Sequence, residues 1–156
     1  MITLTFHNNP ALKTARIARA KEHVAADRLI SGIYIDSDDP MRGCSVGCDA
    51  WDIVRAENPH ARAAKIRNYH ALVAEHDGTP EWLERVRDSV FEGLPPERRA
   101  TWHVSIAEAI PVGVDLSRCL HRISVGILRI AMRHGGDPDG CVSRVINLHE
   151  RAGRGE

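Results

Sequence analysis

Apolar residues recur at helical spacing along most of this chain, and the breaks fall at residues that start or stop helices. Asn9-Pro10 opens the first such segment: Asn caps free N–H groups and Pro is tolerated at the first helical position. The pattern predicts a helix from about Pro10 to Ser31, closed by Gly32. Ile17, Ala20 and Val24 form one of its apolar faces, and Ala11, Ala15, Ala18, Ala25 and Leu29 the other. Arg16, Arg19 and His23 lie between them as a polar stripe. Further helices are predicted over about 45–56, from Asn58-Pro59 to His76, from Thr79-Pro80 to Gly93, and from Leu94-Pro95-Pro96 to Pro111. In the fourth helix Thr79 is the expected cap, and Leu83, Val86 and Val90 recur at helical spacing.

Asp115 is placed to cap a sixth helix with two apolar stripes. Leu116, Cys119, Leu120, Ile123, Ile127 and Ile130 make one; Val125, Leu128 and Met132 make the other. A helix apolar on two sides is normally the most buried, so the pattern predicts a central core helix. Gly126 in its middle suggests that a neighbouring helix or a ligand approaches closely. A last helix carries Val142, Val145, Ile146 and His149, and Arg151 to Glu156 is expected to be a loose tail. Near the start, Ile2-Thr3-Leu4-Thr5-Phe6 alternates as a short strand does, with Ile33-Tyr34-Ile35 as its expected partner. The predicted fold is therefore mainly α: a compact bundle of about seven helices, with room for one short two-stranded β-hairpin. The 156 residues suit a single domain, taken as 1–150 with the tail 151–156.

Hydrophobic residues make up 43% and charged residues 27%, which argues against disorder. Lysines and arginines balance aspartates and glutamates at 21 each, so the electrostatic footprint of a nucleic-acid binder is missing. Lys13, Lys21 and Lys65 are the lysines; the Arg-rich, Lys-poor balance reflects a GC-rich genome more readily than a function. No run of 18 apolar residues is present, so no membrane span is expected. The opening residues are too short and polar for a signal peptide. The expected location is the cytoplasm, where the four cysteines remain reduced.

Chemistry is concentrated at Gly43-Cys44-Ser45-Val46-Gly47-Cys48. Cys44 and Cys48 lie one helical turn apart on one face. Three residues separate them, a spacing found in zinc sites, with His60, His70 or His76 to complete the set. Alternatively, Cys44 at a helix N-terminus is a reactive thiol, with His70 as its base and Glu75 as the orienting carboxylate. The third reading is small buried thiols that only pack. Arg16, Arg19 and His23, with Lys13 and Arg28, offer a basic stripe for phosphates or an acidic partner, or else a solvated helix face. Trp51, Trp82, Phe91 and Trp102 read as core or interface anchors. No phosphate-binding loop, dinucleotide fingerprint, His-Glu-x-x-His or nucleophile elbow occurs.

The Gly-Cys pair, His70, Gly78-Thr79-Pro80-Glu81-Trp82-Leu83, Phe91-Glu92-Gly93-Leu94-Pro95 and Ala109-Ile110-Pro111-Val112-Gly113-Val114-Asp115-Leu116 together resemble a family of small uncharacterised proteins of bacterial genomes and their phages or prophages. The resemblance spans about residues 4–118 and implies a context without an activity. The expected function is a small accessory protein that binds a protein partner and needs no cofactor. The alternative is a small cysteine- or zinc-dependent enzyme built on Cys44, Cys48 and His70.

Overall fold

The computed structural model describes residues 3–156, so Ile2, where the expected strand begins, lies outside the described residues. The protein is mainly α, with seven α-helices among those residues. It divides into two compact units, one ending at Val114 and one spanning Asp115–Glu156.

The first unit holds α1 (Pro10–Ala25), α2 (Ser45–Glu57), α3 (Tyr69–Asp77), α4 (Glu81–Gly93) and α5 (Pro96–Ala109). Within it α1 packs on α5, α2 on α3 and α4, and α4 on both α3 and α5. The helix starts follow local chemistry. Asn9 Oδ1 accepts the Ala11 N–H at 3.0 Å, with Pro10 just inside α1. Gly78 closes α3 in the left-handed region at φ 65°.

Several boundaries differ from expectation for identifiable reasons. Helix α1 stops at Ala25, because Asp27 takes φ 49° and the chain then turns back. There the Gly43 N–H donates to Arg28 O at 3.0 Å and the Ile30 N–H to Gly43 O at 2.9 Å. Helix α3 begins at Tyr69, since Asn58 Oδ1 is engaged in a turn with the His60 N–H while Asn68 supplies the cap to Ala71. Thr79 does not cap α4; its hydroxyl donates to buried Glu84 Oε1 at 2.7 Å.

The expected hairpin is replaced by other pairings. Thr5 exchanges backbone bonds with Val114 and Gly113, its hydroxyl donates to Pro111 O, and Thr5–Asn8 forms a 3-10 turn. Ile35 meets Gly43 in an isolated bridge, and no sheet forms among the described residues. Gly43 and Gly47 earn their place in the Gly-Cys motif here: a Cβ on either would overlap the Tyr34 carbonyl oxygen.

The apolar core of this unit comprises Cys44, Val46, Ala50, Ile53, Val73 and Phe91, with Leu29, Ile66, Tyr69, Leu72 and Trp102 around it. Two helices turn inward the faces that read as polar. On α4 the buried residues are Glu84, Arg87, Asp88 and Phe91, while Val90 is exposed. On α1 they are Arg16, Ala20 and His23, while Val24 is exposed.

The second unit pairs α6 (Cys119–Gly135) with α7 (Cys141–Arg154). Asp115 accepts the Ser117 N–H in a turn, and α6 begins only at Cys119. Of its two apolar stripes, Val125 is buried with Leu128 and Met132 half-buried. The other stripe is not the core expected of it: Ile123, Ile127 and Ile130 are 36%, 61% and 49% exposed, and Leu116 and Leu120 are half-buried. A unit of two helices buries one stripe of each against the other, so within this unit a second stripe on α6 has no helix to pack on. Gly126 faces open space, so no close approach explains it. Helix α7 continues through Arg154, so residues 151–154 are helical where a loose tail was expected. No helix is long and apolar enough to cross a membrane among the described residues.

Phe91→Ala should cost about 3–5 kcal/mol of stability, whereas Ile127→Ala should change it by under about 0.5 kcal/mol. Urea melts of the two variants check both placements.

Candidate functional site

The interior of the first unit is ionic. Three guanidiniums, Arg16 and Arg19 from α1 and Arg87 from α4, meet three carboxylates: Asp49 of α2, Asp77 of α3 and Glu84 of α4. Arg87 donates to Asp49 at 2.7 Å and lies 3.1 Å from Glu84. Arg16 pairs with Asp77 and stands 3.3 Å from Asp49. Arg16 and Arg87 are each 1% exposed, and Asp49, Asp77 and Glu84 are fully buried. Burial works to raise the Asp49 pKa, but Arg16, His103 and Arg19 outweigh it and hold the carboxyl below its usual value. Burial dominates at Glu84 and raises its pKa, opposed by Arg16 and by the Thr79 hydrogen bond.

A second chain of polar contacts leads off this cluster. Ser45 Oγ lies 2.9 Å from His103 Nδ1, His103 Nε2 lies 3.0 Å from His23 Nδ1, and His23 Nε2 lies 2.8 Å from Asp52 Oδ2. With both imidazoles neutral, every bond runs one way: Ser45 donates to His103, His103 to His23, and His23 to Asp52. Arg28 clamps the far carboxylate with two bonds, at 3.1 and 2.8 Å. Ser45, His23 and His103 are fully buried, so this chain reaches solvent only near Asp52. Burial drives the His103 pKa down to about 4.

A small cleft of about 270 Å³ opens beside Cys44, lined by Gly32, Ile33, Tyr34, Cys44, Asp88 and Glu92. Cys44 sits at the cap position of α2, where its sulfur accepts the Gly47 N–H at 3.4 Å. Asp88 Oδ2 lies 3.1 Å from His70 Nε2, and Glu92 Oε2 accepts the Gly32 N–H at 2.8 Å. The Tyr34 ring stacks on Tyr69 and meets His70 edge-on. A larger groove of about 720 Å³, with Arg62, Lys65 and Arg67 among its lining, contains none of the ionic cluster and neither of these thiols.

The residues singled out in the sequence are thus placed as follows. Cys44 and His70 share one neighbourhood, connected through Asp88 rather than Glu75, which is exposed. Cys48 turns away and donates to the Arg28 and Gly43 carbonyls. The helix N-terminus does not activate the thiols: burial, reinforced at Cys44 by the Asp88 charge, raises Cys44 far above its usual value, and burial pushes Cys48 up to about 12. Arg16, Arg19 and His23 do not form an outward-facing stripe; they point into the unit against carboxylates and His103. His76 pairs with Asp77 at 2.6 Å, and His60 is exposed. The acidic members of all these groups went unrecognised in the sequence, although Glu81, Glu84, Asp88 and Glu92 recur on α4 every three or four residues.

No family model, curated protein or solved structure matches this chain.

Removing one partner from the ionic cluster leaves buried charge uncompensated, so Asp49→Ala should cost about 3–5 kcal/mol in a denaturant melt. His103 titrates at about 4 in the folded chain against 6.5 in the unfolded one. The unfolded state therefore binds more protons in that window, and stability falls as pH drops from about 6.5 to about 4. The expected loss from this group is about 3 kcal/mol. Urea midpoints unchanged from pH 7 to pH 4 would contradict it.

Proposed function

We propose that this is a small accessory protein that acts by binding a protein partner, with the apolar face of α6 as the contact surface. The observation that supports this reading is the exposure of Ile123, Ile127 and Ile130 at successive turns of one helix, with Leu148 of α7 61% exposed. Apolar side chains in such a row are the usual anchors of a helix-in-groove contact. The partner's chemistry follows from charge. Helix α6 carries Arg122 and Arg133, which make no salt bridge among the described residues, besides Arg129, paired with Glu150, and no acidic residue, so it suits an acidic amphipathic helix. A second copy of α6 would bring arginines against arginines. The neutral overall charge argues against nucleic acid as the partner. Four free cysteines suit the cytoplasm as the place of action, and the resemblance over residues 4–118 suits a protein carried by a phage or prophage. A thiol enzyme is the weaker reading, because the Cys44 thiol stays protonated at neutral pH.

The test is anisotropy of a labelled Leu/Glu-rich amphipathic helical peptide titrated with the full chain, beside the same peptide with Lys in place of Glu. Binding should be saturable, weaken with salt, favour the acidic peptide, and disappear in the surface variant Ile127→Glu. Absence of binding, or equal binding by Ile127→Glu, would sink the proposal.

A further inference from the structure

The Cys44 thiol, the Asp88 carboxylate and the Glu92 carboxylate converge with no cation between them: one ligand atom from each lies within 4.8 Å of the others. Neither carboxylate makes a salt bridge to a lysine or arginine among the described residues, in contrast to the neutralised cluster deeper in the unit. Asp88 is 8% exposed; no N–H or O–H donor reaches its buried Oδ1, and besides His70 the carboxylate's polar neighbour is the Cys44 thiol. A thiol is a weak donor, so this buried acceptor is underpaired. Each donor is also oriented from behind. His70 contacts the other oxygen of Asp88, the Gly32 N–H fixes Glu92, and the Gly47 N–H points at the Cys44 sulfur. Outer contacts of this kind, above all a His–carboxylate pair, are what hold metal ligands in place.

We infer that Cys44, Asp88 and Glu92 form a binding site for a single divalent transition-metal ion of the zinc class. The donor set of one sulfur and two oxygens suits a borderline-soft cation and not calcium or magnesium, which take oxygen ligands alone. Bond lengths of about 2.3 Å to sulfur and about 2.0–2.2 Å to oxygen require donors roughly 3.3–3.8 Å apart. Asp88 and Glu92 lie one turn apart on α4, so both side chains project from the same face of that helix. The cleft lined by Gly32, Ile33 and Tyr34 leaves the fourth coordination position for water or a small ligand. Binding exchanges the thiol proton for the metal, so the three groups that repel one another as anions become mutually stabilising. The donor set differs from the pair Cys44 and Cys48 with His70: Cys48 bonds to backbone carbonyls elsewhere, and His70 acts through Asp88.

The experiment is titration of the full chain, purified without an affinity tag and stripped of metal, with cobalt(II) as a spectroscopic probe. The expected result is one equivalent bound, with a near-ultraviolet thiolate-to-cobalt charge-transfer band, and displacement by zinc. Cys44→Ser should abolish the band. Glu92→Gln, at a half-buried position, and the near-isosteric Asp88→Asn should each weaken binding by about 10–100-fold while the far-ultraviolet dichroism stays unchanged. Cys119→Ser and Cys141→Ser should bind as the parent does. The inference is overturned by absence of a band in the parent chain. It is equally overturned by a band that persists in Cys44→Ser, or by Glu92→Gln binding with unchanged affinity.

Discussion

The fold of the first unit depends on a buried exchange of charge: Arg16, Arg19 and Arg87 against Asp49, Asp77 and Glu84. These six side chains come from α1, α2, α3 and α4, so one cluster ties four helices together. Three positive and three negative charges cancel, which is the condition under which ions are tolerated in a low-dielectric interior. Apolar burial is non-directional, whereas each guanidinium here needs its carboxylates within bonding distance. The arrangement therefore sets how α1 and α4 are rotated, and through α4 it determines where Asp88 and Glu92 emerge.

The rest of the polar interior hangs on that rotation. Turning Arg16 inward also turns in His23, two helical turns further along the same face, and His23 then meets His103 and Asp52. Turning Glu84 and Arg87 inward brings Asp88 beneath Cys44 and against His70. The small cleft at Cys44 is a by-product of the same geometry. Close approach of the Tyr34 backbone to Gly43 and Gly47 supplies its wall, and residue 34 fits there only because both neighbours lack a Cβ.

The second unit follows a different logic. It contains no buried ion cluster among its described residues; Arg129–Glu150 is an exposed pair, and the apolar stripe of Val125, Leu128 and Met132 is what α6 buries. The outer stripe at Ile123, Ile127 and Ile130 remains on the surface. The two units thus present different chemistry, one an enclosed polar interior with a thiol–carboxylate cleft and the other an exposed apolar and basic helix face.

The helical class, most of the helix starts and stops, and the local interest of Gly43 to Cys48 were legible in the sequence, because caps, prolines and glycines act through their immediate neighbours. Asn9-Pro10, Gly78 and Pro96 illustrate this. Burial was not legible. Leu83, Val86 and Val90 recur at helical spacing on α4, and two apolar stripes made α6 the central helix, yet α4 buries Glu84, Arg87 and Asp88, and α6 leaves three isoleucines exposed. Periodicity identifies a face but not what opposes it. A charged stripe reads as solvated until another helix supplies the opposite charges, and an apolar stripe reads as core until no helix covers it. Local chemistry along the chain set the helices and the residue types available for catalysis or binding. Which faces met was settled by distant partners, because neutralising Arg16 takes Asp49, Asp77 and Glu84, residues 33 to 68 positions away along the chain.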